Sequence, residues 1–175
     1  MKDTDIIELL INKLLLPVGR HLYGILGLYP ALEILSKKLQ EAKTPEGKYF
    51  PKPISVNRGI LDTIPDDEFR QLVEDEAKRP EPTATHVAKA FEAFLRSVLK
   101  SENLVILGNL EILFAYEIDL SLFRTLATDN NRIVLLLPGK REQGRITMFP
   151  DYNERNYTLP TNLIADNHLW QMNDV

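Results

Sequence analysis

The chain opens on an apolar rhythm. In "MKDTDIIELLINKLLLPVGR", Ile6, Ile7, Leu10, Ile11, Leu14 and Leu15 recur at spacings of three and four, which predicts an amphipathic helix with a wide buried stripe. Thr4 or Asp3 is placed to cap it, Glu8 lies in its opening turns and Pro17 closes it. Leu9, Leu14 and Leu16 do not share one narrow side, so the helix either lies against a sheet or shares its burial with another chain. Trp170, near the C-terminus, poses the same choice.

A short strand is predicted at 21–26, followed by the helix "ALEILSKKLQEA", with Leu32, Leu35 and Leu39 inward and Lys37, Lys38 and Glu41 outward. "KTPEGKYFPKP" is turn-rich, and "PISVN" reads as a second strand. "DTIPDDEFRQLVEDEAKRPEP" predicts a charged helix that Pro80 and Pro82 end, its acidic side most simply solvated. "THVAKAFEAFLRSVLKSE" is a further helix, with Val87, Phe91, Phe94, Leu95 and Val98 on one side. "NLVILG" and "RIVLLLPG" are near-continuous apolar runs, as strands buried on both faces require. A short helix at 120–127 stands between them; "GRITMF" predicts a further strand and "NYTLP" an edge strand, while "NLIADNHLWQMNDV" has no assignable pattern.

Strands alternating with helices predict a single α/β domain over 1–175: a mainly parallel sheet sandwiched by helices, in P-loop-like topology. Its parts are an N-terminal helix (1–17), a core (18–160) and a tail (161–175).

Composition narrows the function. The chain of 175 residues is 44% apolar and 26% charged, with a net charge of −4, so no global positive field draws it to nucleic acid or anionic lipid. It has no cysteine, which removes disulfides and thiolate zinc sites. The apolar N-terminus is interrupted by Asp3, Asp5, Glu8 and Lys13 and falls short of the ~20 apolar residues that span a bilayer. A cytoplasmic location without membrane contact is expected.

The strand–turn–helix "HLYGILGLYPALEILSKKL" carries Gly24 and Gly27 just before its helix, where a nucleotide-binding protein puts its phosphate loop. A G-x-x-x-x-G-K-[ST] overlay from Gly27 sets Leu32 on the second glycine, Glu33 on the lysine and Ile34 on the hydroxyl residue. At about 6 Å and an effective dielectric of about 20, one charge pair is worth roughly 3 kcal/mol, so glutamate for lysine swings the balance by about twice that. From Gly24, Tyr29 and Pro30 take the Gly-Lys positions, and Pro30 reads as a first-turn helix proline. The second station agrees: in "LVILGNLEILF", Gly108 stands where an Mg²⁺-holding aspartate belongs, then Asn109, with Glu111 beyond. Glu111 could serve as a base, or simply as a capping carboxylate. No cofactor and no metal is expected.

The order and texture of "IIELLINKLL", "HLYGILG", "PISVNRGILDTI", "GNLEILF", "DLSLFRTLATDNNRIVLLLPG" and "RIVLLLPGKREQGRITMFPDYNERNYTLP" resemble the small P-loop protein of bacterial phage-exclusion (BREX) systems, BrxF, over about residues 6–160. That family is similar to small AAA-like or RecA-like P-loop ATPases with both nucleotide motifs. The resemblance implies a degenerate member or a relative with an accessory role in a defence complex, and no nucleotide-binding role carries over to Glu33, Ile34 or Gly108.

Other chemistries find little. The triplets Glu41-Ala42-Lys43, Glu46-Gly47-Lys48 and Glu76-Ala77-Lys78 lie at predicted helix ends or loops, unlike the strand-end (D/E)-x-K of a restriction-type nuclease. His21, His86 and His168 lack metal-ligand spacing, and no serine stands in G-x-S-x-G. The loop "PGKREQGR" offers Lys140, Arg141 and Arg145 to an anion or an acidic partner; the simpler reading is a solvated hairpin with Gln143 and Gly144 at its bend. Phe149, Tyr152 and Tyr157 around Arg155 could stack bases, though among acidic neighbours. The reading reached is a non-catalytic, structural or regulatory subunit with a protein partner or second copy. The alternatives are a nucleotide-binding ATPase or GTPase with an atypical loop, or a nucleic-acid-binding accessory.

Overall fold

A computed structural model describes residues 1–76, 78, 80–150 and 155–173. The fold is α/β, with a mainly parallel sheet flanked by helices. In chain order the elements are α1 (Asp3–Leu14), β1 (Leu22–Gly27), α2 (Tyr29–Glu41), β2 (Ile54–Ser55), α3 (Val56–Thr63), α4 (Asp66–Glu76), α5 (Pro80–Ser101), β3 (Leu104–Gly108), α6 (Glu111–Ala115), α7 (Ser121–Leu126), β4 (Arg132–Glu142), β5 (Arg145–Met148), β6 (Tyr157–Thr158) and β7 (Leu169–Gln171), the last preceded by a 3₁₀ turn (Asp166–His168).

Five strands run parallel in the order β2-β3-β4-β1-β7. From β1 the chain crosses to the far edge at β2, returns through β3 and β4, then passes over β1 to β7. Right-handed crossovers put the outward and returning connections on opposite faces. The core divides accordingly. Tyr23, Ile25, Ile106, Val134, Leu136 and Trp170 meet α1 and α2 on one face. Their alternating neighbours Leu22, Leu26, Val105, Leu107, Leu135 and Leu169 meet α3, α5, α6 and α7 on the other. This period-two exchange of side chains between two covered faces is why these strands read as unbroken apolar runs. The result is the P-loop-like, Rossmann-type arrangement that the pattern predicts, with its N-terminal helix.

Several details differ from the pattern. The α1 cap is Lys2, not Thr4 or Asp3, and the Asp5 carboxylate accepts from the Lys2 N–H (3.4 Å). "PISVN" gives only two strand residues, because Ser55 Oγ accepts from the Arg58 N–H (3.2 Å) and starts α3 at Val56. Pro80 and Pro82 do not close the charged helix; they stand in the first turn of α5, where a missing N–H costs no intrahelical bond. The unassigned tail supplies β7, whose Trp170 stacks on Tyr23 (5.8 Å between centroids, 10° between planes) and is buried within the chain. In α1, Ile6, Leu10 and Leu14 are buried, while Leu15, Leu16 and Val18 beyond it stay 60%, 51% and 73% exposed. Among the described residues no helix is long and apolar enough to cross a membrane.

The Tyr23 cluster predicts an acid response. His21 Nδ1 lies 2.6 Å from the Tyr23 hydroxyl, whose hydrogen reaches the Lys13 carbonyl (3.4 Å). Nε2 is buried and finds no partner among the described residues. Burial lowers the pKa of His21, with Arg132 adding to the effect and Asp129 opposing it. Burial also lowers that of His168, whose ring lies 4.8 Å from Tyr23, with Lys13 and His21 adding. Burial thus favours the neutral imidazole in the folded chain, so the contribution of both is present above the ordinary value of 6.5 and lost as the pH falls through the depressed folded values. The urea midpoint is expected to drop between about pH 8 and about pH 5, and to drop less in His21→Gln. Equal drops in both proteins would remove His21 from the account.

Candidate functional site

In an open parallel sheet the carboxyl ends of the strands meet at a crevice where ligands bind. Here a cleft of about 320 Å³ opens beside the carboxyl ends of β2, β3 and β4. Leu32, Ile54, Leu136 and Pro53 give it apolar walls; Tyr29, Glu33, Ser36, Ser55 and Asn109 give it polar points.

Its organising residue is Glu111, the first residue of α6. The Tyr29 hydroxyl donates to Oε1 (2.6 Å) and Asn57 Nδ2 donates to Oε2 (2.7 Å). Asn57 is used at both ends, since its Oδ1 accepts from the Ile112 N–H (3.0 Å). The Asn57 N–H in turn donates to the Asn109 carbonyl (2.9 Å), and Asn109 holds a left-handed φ of 53°, uncommon outside glycine though asparagine tolerates it best. Three elements, α2, α3 and the β3–α6 connection, are thereby tied into one half-buried polar node. Within it the phenol hydrogen and one Asn57 amide hydrogen both go to Glu111.

The positions where a phosphate would bind are built otherwise. β1 runs to Gly27 and α2 begins at Tyr29, leaving Leu28 alone between them. A phosphate cradle spans eight residues and needs most of them out of regular structure; Leu28 alone is available. The ungapped overlay therefore fails for a more basic reason than the identity of position 33. Glu33 is in the second turn of α2, pairs with Lys37 (2.8 Å) and is 69% exposed, and the Lys37 hydrogen bond lowers its pKa. Pro30 removes one of the N–H groups that a helix N-terminus offers an anion. Gly24 and Gly27 serve packing: a Cβ at Gly24 would fall 2.7 Å from both Ile164 and Leu169 Cδ1, and one at Gly27 would fall 3.1 Å from Met172 Sδ. Gly108 ends β3 opposite Ser55, and a Cβ there would meet only Leu136 Cβ at 3.9 Å.

Lys140, Arg141 and Arg145 lie on the β4–β5 hairpin, which turns through Gln143 (φ 47°) and Gly144 (φ 79°), a two-residue bend with both centres left-handed. This is the hairpin that the simpler reading predicts. Lys140 pairs with Glu142 (2.6 Å) and Arg141 with Asp166 (3.4 Å), while Arg145 is exposed opposite Glu142. Acidic partners within the chain thus dilute the basic stretch. Of the aromatic run, Phe149 is buried against Phe114 and Tyr157, and Tyr152 lies outside the described residues. Among those residues no group of three or more histidine, aspartate or glutamate side chains is arranged to hold a metal ion.

Glu111 and the Asn109 carbonyl are both held by Asn57; Tyr29 and Asn57 are not foreseen from the sequence as members of this node. Asn57 sits in "PISVN", and the signal available was Ser55 as a helix cap, which would have placed Asn57 in a first helical turn. Comparison with family models, curated proteins and solved structures finds no match to this chain.

Proposed function

We propose that this chain is a non-catalytic, P-loop-like domain that works as a structural or regulatory subunit through protein contacts. The observation that carries the reading is the single residue between β1 and α2: with no loop there is nothing to wrap a phosphate. Two features support it. Among the described residues no lysine or arginine lines the cleft, and the consecutive Leu15 and Leu16 with Val18 present apolar surface to solvent, of the kind that marks contact sites. The setting proposed for the assembly is bacterial phage defence, which rests on the resemblance to BrxF in order and texture alone.

Thermal shift with ATP, GTP and ADP, each with Mg²⁺, tests this. A binder at 100 times its dissociation constant gains about 2.7 kcal/mol, a rise of roughly 5–11 °C for a domain of this size. No rise is expected. Glu33→Lys should stay equally flat, because position 33 lies in the helix and not in a loop. A nucleotide-dependent rise in the unmodified protein would overturn the reading and favour Glu111 as the base of an atypical nucleotide site.

A further inference from the structure

The helix α4 leaves most of its apolar surface outside the core. Of its three apolar residues, Phe69, Leu72 and Val73, only Leu72 is buried; Phe69 and Val73 stay 40% and 55% exposed. A helix of 11 residues with so few apolar side chains depends on burying them for its stability. Its orientation is nevertheless fixed from the other side, where Glu68 meets His86 Nδ1 of α5 and Glu76 accepts the Tyr116 hydroxyl hydrogen. Asp66, Phe69, Val73 and Glu76 follow one another at spacings of three, four and three, so they form one stripe along the helix. An apolar pair is thereby bracketed by two carboxylates.

The charge around the pair is strongly one-sided. Glu74 is exposed next to Val73, and Asp67 is exposed next to Asp66. Arg70, exposed as well, is the one cation of the helix. Six carboxylates against that arginine give α4 a net charge of −5, in a chain whose total is −4. The whole negative excess of the protein therefore lies in this helix. Such a face repels nucleic acid and anionic lipid, and two copies of α4 laid together would oppose like charges. It suits a surface that is apolar at its centre and basic at its margins.

We propose that this stripe seats a basic amphipathic helix of a protein partner, its apolar side chains over Phe69 and Val73 and its lysines or arginines at Asp66 and Glu74. The inference rests on the reading of a subunit that works through protein contacts, and it names the chemistry of one such contact: charge complementarity around an apolar pair.

The test is a ¹H–¹⁵N titration of the full chain with a designed helical peptide of about 18 residues, leucine on one side and lysine on the other. The same peptide with glutamate for lysine is the charge control. The lysine peptide is expected to move the amides of Phe69, Val73 and Glu74, and at low salt to bind at least about tenfold tighter than the glutamate peptide. Phe69→Ala with Val73→Ala should weaken it by about tenfold or more. Asp66→Asn with Glu74→Gln, which alters no apolar side chain, should weaken it about threefold or more and reduce its salt dependence. Equal binding of the glutamate peptide, no movement at all, or unchanged binding by either paired variant would overturn the proposal. So would self-association of the chain alone that Phe69→Ala with Val73→Ala abolishes in sedimentation, which gives the stripe to a second copy. Movement confined to Leu15, Leu16 and Val18 would also overturn it, while the protein-contact reading stands. A parallel titration with Mg-ATP reports on that reading separately, since shifts at Ser55, Gly108 and Asn109 would count against it without touching the amides of α4.

Discussion

Phe123→Ala is expected to cost about 3–5 kcal/mol of stability, the range for deleting a fully buried aromatic ring. Phe123 is 0% exposed and meets Phe91, 1% exposed, edge-on at 5.1 Å between centroids. The cost concentrates here because α7 is six residues long, too short to persist without tertiary contacts. Phe123 is its anchor to α5, with Leu120 and Ala127 buried on either side. For a chain of this length the loss corresponds to a fall in Tm of roughly 6–20 °C, measurable by calorimetry. Combining it with Phe91→Ala should show a coupling of about 0.5–1.5 kcal/mol from the aromatic pair. A loss below about 1 kcal/mol would mean that α7 does not close this face of the sheet.

The same face shows how much of the fold the sequence carries. β1, β3 and the Ile133–Gly139 part of β4 are legible because each is covered on both faces, so their positions are almost all apolar or small. α5 is legible because 22 residues give the helical period time to repeat. α3 and α6 are not, since eight and five residues hold too few turns for a period to stand out, and what starts α3 is the Ser55 cap. β7 has only three residues and borrows its place from the edge of β1. The functional node is harder still. Tyr29 and Asn57 lie 82 and 54 positions from Glu111, and only the crossover order brings them together. The overlay on Gly27 leads to the junction of β1 and α2, whose Tyr29, Leu32 and Glu33 line the crevice. It assumed a loop, however, and the length of that loop depends on where β1 stops and α2 starts, which apolar residues on both sides conceal.

Gly139→Ala is expected to cost about 2–3 kcal/mol, at the upper end of what overpacking one methyl group brings. At Pro138 and Gly139, β4 leaves the parallel sheet and begins its antiparallel pairing with β5, Gly139 facing Met148. A Cβ on residue 139 would fall 2.6 Å from the Thr147 carbonyl oxygen and 3.1 Å from Met148 Sδ. A side-chain tip can turn away; a backbone carbonyl inside a ladder cannot move without breaking its register. The methyl group is therefore relieved by lifting β5, which carries Ile146, Met148 and the adjoining Phe149 into the core at 9%, 1% and 2% exposure. Lifting them loosens the edge-to-face contacts of Phe149 with Phe114 (5.1 Å) and Tyr157 (6.0 Å). Gly108→Ala is the matched control, since its added methyl meets nothing closer than Leu136 Cβ at 3.9 Å and should change stability by less than about 0.5 kcal/mol either way. Urea midpoints of the two variants decide the matter. Equal midpoints would mean that the hairpin yields freely at Gly139 and that β5 and β6 contribute little to holding the crevice end of β4.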